Sequence, residues 1–219
     1  MKTKLLTIAM TAALMFTAMT KVQAQNFDGP CLPPAHGLVD HQSAFCSAMQ
    51  VIALATGANY VSFFIDITLD DLKTALAGTA PSTNISIKSQ TQTTTYNPNN
   101  HRWTGNITLD LAKMYIINVS NGFEIALEGM PVNPAEHPVT ITGNGTTYIG
   151  FPFSTSMTLT DAFAGFAVQG DKLKDQSSTC PYNRGHWGTQ IPALEPGKGY
   201  KYISNDPNDR ILTFPSSKK

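Results

Sequence analysis

Apolar and polar residues alternate with a period of two along most of the chain. Val51 to Leu54, Tyr60 to Ile65, Ile85 to Lys88, Thr91 to Tyr96, Arg102 to Ile107, Met114 to Val119 and Phe123 to Leu127 each read as a strand with one buried face. Turns fall between them at Asn97-Pro98-Asn99-Asn100 and Asn121-Gly122. After Thr68 the period lengthens. Leu69, Leu72 and Leu76 make a helical stripe, Thr68 and Asp71 make a capping pattern, and Gly78 is the expected stop.

The same series recurs downstream. Val51–Ile65 lies over Val139–Phe153 without a gap. Thr158, Asp161 and the stripe Leu159, Phe163 and Phe166 repeat the capped helix, with Gly165 as its stop. Lys88-Ser89-Gln90 answers Lys174-Asp175-Gln176, Trp103 answers Trp187, and Ile107 answers Ile191. Leu109 answers Leu194, and Lys113-Met114-Tyr115 answers Lys198-Gly199-Tyr200. Asn205-Asp206-Pro207-Asn208-Asp209 stands where the first copy has its hairpin turn. The expected fold is mainly β with one short helix per repeat, in two tandem antiparallel β-rich units at 50–130 and 138–215. Residues 131–137 form a Pro-rich linker, 25–49 a lead-in and 216–219 a tail.

The second unit resembles a repeat module of secreted and surface proteins of Bacteroidetes. The resemblance rests on Tyr148-Ile149-Gly150-Phe151-Pro152, Gly170-Asp171-Lys172-Leu173-Lys174-Asp175-Gln176, Trp187-Gly188 and Leu194-Glu195-Pro196-Gly197-Lys198-Gly199-Tyr200. The first unit keeps the layout but has Ala112 and Met114 where the second has Gly197 and Gly199. Tyr60 and Tyr148 stand where that module carries tryptophan. The resemblance implies an extracellular accessory module and brings no catalytic residues.

The N-terminus agrees with export. Lys2 and Lys4 precede an uncharged apolar run from Leu5 to Met19, and Val22-Gln23-Ala24 forms a cleavage pattern. The run is shorter than the roughly 18–20 residues of a spanning helix, so residues 1–24 read as a signal peptide and no membrane span is expected. Cleavage there removes three lysines and no acid, which moves the formal charge from zero to −3. No basic run along the chain marks a nucleic-acid surface, so no nucleic-acid partner is expected.

In an oxidising compartment Cys31 and Cys46 form the candidate disulfide around Pro33, Pro34 and Gly37, and Cys180 is left over as a partly buried thiol or an intermolecular link. His36, Asp40 and His41 match no common metal spacing, so no metal site and no cofactor are expected. His101 and His186 each precede a tryptophan of the repeat and read as strand-edge residues. Asn84, Asn106, Asn118 and Asn144 begin sequons that matter only in a glycosylating source. No nucleophile elbow, zincin helix or phosphate loop is present, which argues against an enzyme.

The aromatics that recur by repeat are the remaining candidates. Trp103, Trp187, Tyr148, Tyr200 and Tyr202 read either as core or as a surface that stacks on sugar rings or a partner's apolar side chains. The expected function is a secreted, non-catalytic binding or structural module for a glycan or an extracellular protein. A self-assembling matrix component and a secreted hydrolase are the alternatives. The oligomeric state is open.

Overall fold

The computed structural model describes residues 24–25 and 47–215. Strands make up 41% of the described residues and helix 11%, so the protein is mainly β with antiparallel sheets. The candidate pair Cys31–Cys46, the signal peptide, most of the lead-in and the tail at 216–219 lie outside the described residues.

The first half contains β1 (Ala24–Gln25), β2 (Ala48–Leu54), β3 (Gly57–Val61), β4 (Ile65–Asp66), α1 (Leu69–Thr79), β5 (Ile85–Lys88), β6 (Thr93–Asn97), β7 (Arg102–Thr104), β8 (Tyr115–Val119) and β9 (Phe123–Pro131). A single 3-10 turn, Pro134–Glu136, links it to the second half. There follow β10 (Val139–Ile141), β11 (Thr146–Ile149), β12 (Met157–Thr158), α2 (Leu159–Ala162), β13 (Lys172–Lys174), β14 (Thr179–Asn183), β15 (His186–Trp187), β16 (Ala193–Leu194), β17 (Tyr200–Ile203) and β18 (Arg210–Leu212).

Each half holds a five-stranded antiparallel sheet. Their orders are β3-β8-β5-β6-β7 and β11-β17-β13-β14-β15. Position by position, the two orders run through the same sequence of elements. Beside the first sheet, β2 pairs with β9, and beside the second, β10 pairs with β18. Alternation along the strands sends one set of side chains inward. Ile85, Ile87, Tyr96, Tyr115, Ile117 and Val119 enter one core, while Ile149, Leu173, Cys180, Tyr200 and Tyr202 enter the other.

The helices start as expected. Thr68 and Asp71 form a complete capping box, and the Thr158 hydroxyl accepts from the Asp161 N–H at 3.1 Å. Their ends differ from expectation. The first helix runs through Gly78 to Thr79, because nothing crowds that exposed glycine and helical φ suits it as well as any other. The second is a single turn, since Phe163 leaves helical geometry at φ −115° and ψ 27° to enter the core.

The ungapped match across Val139–Ile141 is also corrected. Ile52 and Leu54 point inward in β2, whereas Val139 and Ile141 do so in β10. A shift of one residue reverses every side chain of a strand, so the two segments correspond only with a one-residue offset. The unit boundaries move as well. Ala48 already pairs with Gly129, and β9 continues to Pro131 to pair with Ile65, which takes residues from both the lead-in and the linker.

The Leu–x–x–x–x–x–Tyr spacing has a physical cause in both halves. The Tyr115 hydroxyl accepts the Asp110 N–H and faces the Thr108 carbonyl at 3.2 Å. The Tyr200 hydroxyl accepts the Glu195 N–H at 2.8 Å. Each tyrosine thus reaches back five residues and ties down the loop before its own strand. Burial pushes the Tyr115 hydroxyl up to about 12 and raises Tyr200 too, so both stay protonated. Removing either hydroxyl leaves a loop N–H without its partner. Tyr200→Phe is expected to lose about 1–3 kcal/mol in urea unfolding, and Tyr115→Phe a similar amount.

Candidate functional site

The two halves meet through contacts that come in reciprocal pairs. The Gln176 side-chain amide donates to Ala58 O at 2.7 Å and accepts from Tyr60 N at 3.2 Å. The Gln90 amide donates to Thr146 O at 2.8 Å and accepts from Tyr148 N at 2.9 Å. Each glutamine therefore imitates a strand neighbour for the free edge of the opposite sheet. Ser62 N donates to Gly197 O at 2.9 Å, and Gly150 N donates to Ala112 O at 2.7 Å. Residues at matching positions of the two halves make the same contact from opposite sides, which is local two-fold symmetry within one chain.

Near the axis of that symmetry the corresponding positions Met114 and Gly199 face each other. A Cβ on Gly199 would stand 2.1 Å from Met114 Cγ. Only one of the two positions has room for a side chain, which accounts for the first unit lacking this glycine. Gly197 serves differently, since its φ of +74° is a backbone state that glycine takes without strain.

On the outer side of this junction Lys201 sits between two tyrosines. Its Nζ lies 4.9 Å from the Tyr60 ring centroid and 5.0 Å from that of Tyr148, within cation–π range of both. Burial works against the Lys201 charge, but the two tyrosine hydroxyls outweigh it and hold its pKa above the ordinary lysine value. Two grooves flank the junction. One is lined by Asn59, Tyr60, Gln176 and Lys198, and measures about 180 Å³. The other, lined by Thr147, Tyr148, Gln90 and Lys113, measures about 330 Å³. They occupy corresponding places on the two halves, at or below the lower end of volumes that enclose a small molecule.

The aromatic candidates scatter. Tyr200 and Tyr202 are core residues, 1% and 0% exposed, so neither reaches a ligand at the surface. Both lie on the inward phase of β17, with a fully polar job for each hydroxyl. Trp103 and Trp187 are half-buried on the outermost strands, far from the axis in strand order. Trp103 packs on Tyr96 at 5.3 Å, and Trp187 packs on Phe163 at 5.3 Å and Tyr182 at 5.2 Å. The exposed edge of Trp187 lines a shallow depression with Gln169, Arg184 and His186. Tyr148 alone of the five belongs to the junction. The five candidates therefore do not gather into one surface.

Lys201, Gln90 and Gln176 were not singled out by sequence reasoning. The available signal was the recurrence of glutamine two residues after lysine in both units. His101 is corrected too, for it lies in a turn at φ +54° and its Nδ1 is 2.9 Å from the Tyr96 hydroxyl. Cys180 is fully buried, with Sγ donating to Gly188 O at 3.1 Å, so a bond to a second chain would require the sheet to open. Among the described residues no group of metal-ligating side chains gathers, and no helix is long and apolar enough to cross a membrane.

Among the described residues a buried ion pair belongs to the second half alone. The Asp171 carboxylate is fully buried and accepts from Asn205 N, Val168 N, the Tyr202 hydroxyl and Arg210 Nη2. The Arg210 guanidinium also lies 4.5 Å from the Phe166 ring centroid. Burial would raise the Asp171 carboxyl, yet these donors together hold it below the ordinary carboxylate value. At the corresponding sheet positions the first half has Ile85 and Ile117.

No family model, no curated protein and no solved structure matches the chain.

Proposed function

We propose that this protein is a secreted, non-catalytic binding module built from two copies of one β-rich unit. Its contact surface is the outward face of the two sheets where they converge on Lys201. The observation that carries this reading is the placement of half-buried Lys201 between Tyr60 and Tyr148 on the outward side of the sheets. Tyrosine and lysine held in one geometry supply stacking area and charge with little ordering cost on binding. The matching strand orders support duplication, as do the reciprocal glutamine contacts. The N-terminal pattern and the likeness to Bacteroidetes surface modules support export.

The test is a glycan array together with a pull-down from extracellular protein extracts, using residues 25–219. Retention of a glycan or protein is expected, weakened at least tenfold in Tyr148→Ala at unchanged fold by circular dichroism. Absence of any retained glycan or protein would remove the reading.

A further inference from the structure

Charge is unpatterned along the sequence but not on the folded surface. Strand alternation places Lys88, Arg102, Lys172, Lys174 and Lys201 on the outward face of the two sheets. Each is opposite in phase to the core residues beside it. The register brings them into rows. Tyr60 pairs with Ile116, which pairs with Lys88, which pairs with Thr93. In the second sheet Tyr148 pairs with Lys201, which pairs with Lys174, which pairs with Thr179. The rows converge where Lys201 touches both tyrosines. No carboxylate occupies an outward strand position on either sheet. Asp175, at the end of β13, is turned into its own loop and accepts from Ser177 N at 2.8 Å. Of the exposed acids, Asp66, Asp70, Asp71, Glu124 and Glu128 lie instead on β4, α1 and β9, while Asp110 lies in the loop before β8, beside the groove of Tyr148.

Two lysines directly opposite each other in a sheet repel and cost stability. Lys174 and Lys201 form such a pair, and neither has an acidic partner within salt-bridge distance among the described residues. A fold that leaves this pair uncompensated on an exposed face fits an external anion. Between the cations stand Ser86, Thr93, Thr95, Asn118 and Thr179, whose hydroxyl and amide groups suit sugar hydroxyls. The rings at the convergence, Tyr60 and Tyr148, are both packed against one lysine, which suits a single sugar ring better than a run of stacked bases. The outward apolar residues Ile116 and Ile203 are only half-exposed, so no apolar wedge stands ready for a bilayer.

We infer that this face binds an acidic polysaccharide, a chain bearing carboxylate or sulfate groups, along the rows of Lys88 and Lys174. The inference rests on the reading of the sheet face as the contact surface, and names its ligand class. Residues 25–219 are applied to immobilised polygalacturonate, heparin and neutral dextran, and binding is followed as salt is raised. Retention on an acidic polymer, absence from dextran and a steep fall with salt are expected. Lys88→Glu with Lys174→Glu is expected to weaken retention at least tenfold. Lys73→Glu, on α1 and away from both rows and both grooves, serves as the control for net charge and is expected to change it less than threefold. Binding to neutral glycans or proteins alone, with the double variant unaffected, overturns the acidic ligand and leaves the surface-binding reading standing. Stronger binding to anionic phospholipid vesicles or to single-stranded DNA than to either acidic polysaccharide also overturns it.

Discussion

Asp171→Ala is expected to lower the unfolding free energy by about 3 kcal/mol, seen as a displaced urea midpoint with an unchanged slope. The cause is the group left behind. Arg210 would keep a largely buried guanidinium, 17% exposed, with its nearest carboxylate gone and only Asp206 at 3.4 Å as an ionic neighbour. The Tyr202 hydroxyl and the Asn205 and Val168 N–H groups would lose their acceptor together. For a protein of this length such a loss corresponds to a melting shift of roughly 6–12 °C. The pH dependence has a definite sign. The folded carboxyl titrates below its unfolded value, so its stabilisation is complete above the unfolded pKa, near about 3.9. It disappears as pH falls through the folded value. The gap between wild type and Asp171→Asn should therefore be largest near neutrality and close on acidification. A gap that widens in acid would contradict the assignment. The first unit, with Ile85 and Ile117 at the corresponding places, should show no such acid-sensitive centre.

Gly199→Met is the second large effect. The added side chain has to share the axis with Met114, whose Cβ would lie 2.8 Å from the new Cβ. Overpacking of this kind costs about 1–3 kcal/mol or more when backbone must move, and here Tyr60 O and Gly199 N are hydrogen-bonded at 3.1 Å on the same segment. Met114→Gly has the opposite fault. Met114 is 0% exposed, so its removal opens a cavity worth about 2–5 kcal/mol and adds the flexibility of a glycine. The informative variant carries both changes. If the two positions occupy equivalent places around the axis, Met114→Gly with Gly199→Met exchanges knob and hole and should recover at least half of the summed loss. Neighbouring substitutions that couple in this way depart from additivity by about 0.5–3 kcal/mol. Additive losses in thermal melts would mean that the positions are not equivalent.

The legible part of the fold was local. Capping at Thr68 and Thr158, the turns at Asn97–Asn100 and Asn121-Gly122, and most strands follow from neighbours within a few residues. What remained hidden depends on pairing across the chain. The offset between β2 and β10 shows only in which residues turn inward. The clamps made by Gln90 and Gln176 were marked only by recurrence, because the role of a glutamine after a strand shows only once the opposite edge arrives. The basic face was hidden for the same reason, since Lys88, Lys172, Lys174 and Lys201 are dispersed among acids in sequence and gathered by alternation and register. Tyr200 and Tyr202 were candidates because recurrence marks them, but recurrence does not distinguish a binding surface from a hydroxyl that ties down a loop.

The meeting of Met114 with Gly199 sets this chain apart from a symmetric dimer. In an assembly of two identical chains, a residue on the dyad confronts itself, so it is either empty on both sides or crowded on both. Two halves within one polypeptide are free of that restriction, and one position can carry a side chain while its counterpart stays small. The single chain thereby reaches a packing that no homodimer of either half could adopt, and each half is committed to its own partner.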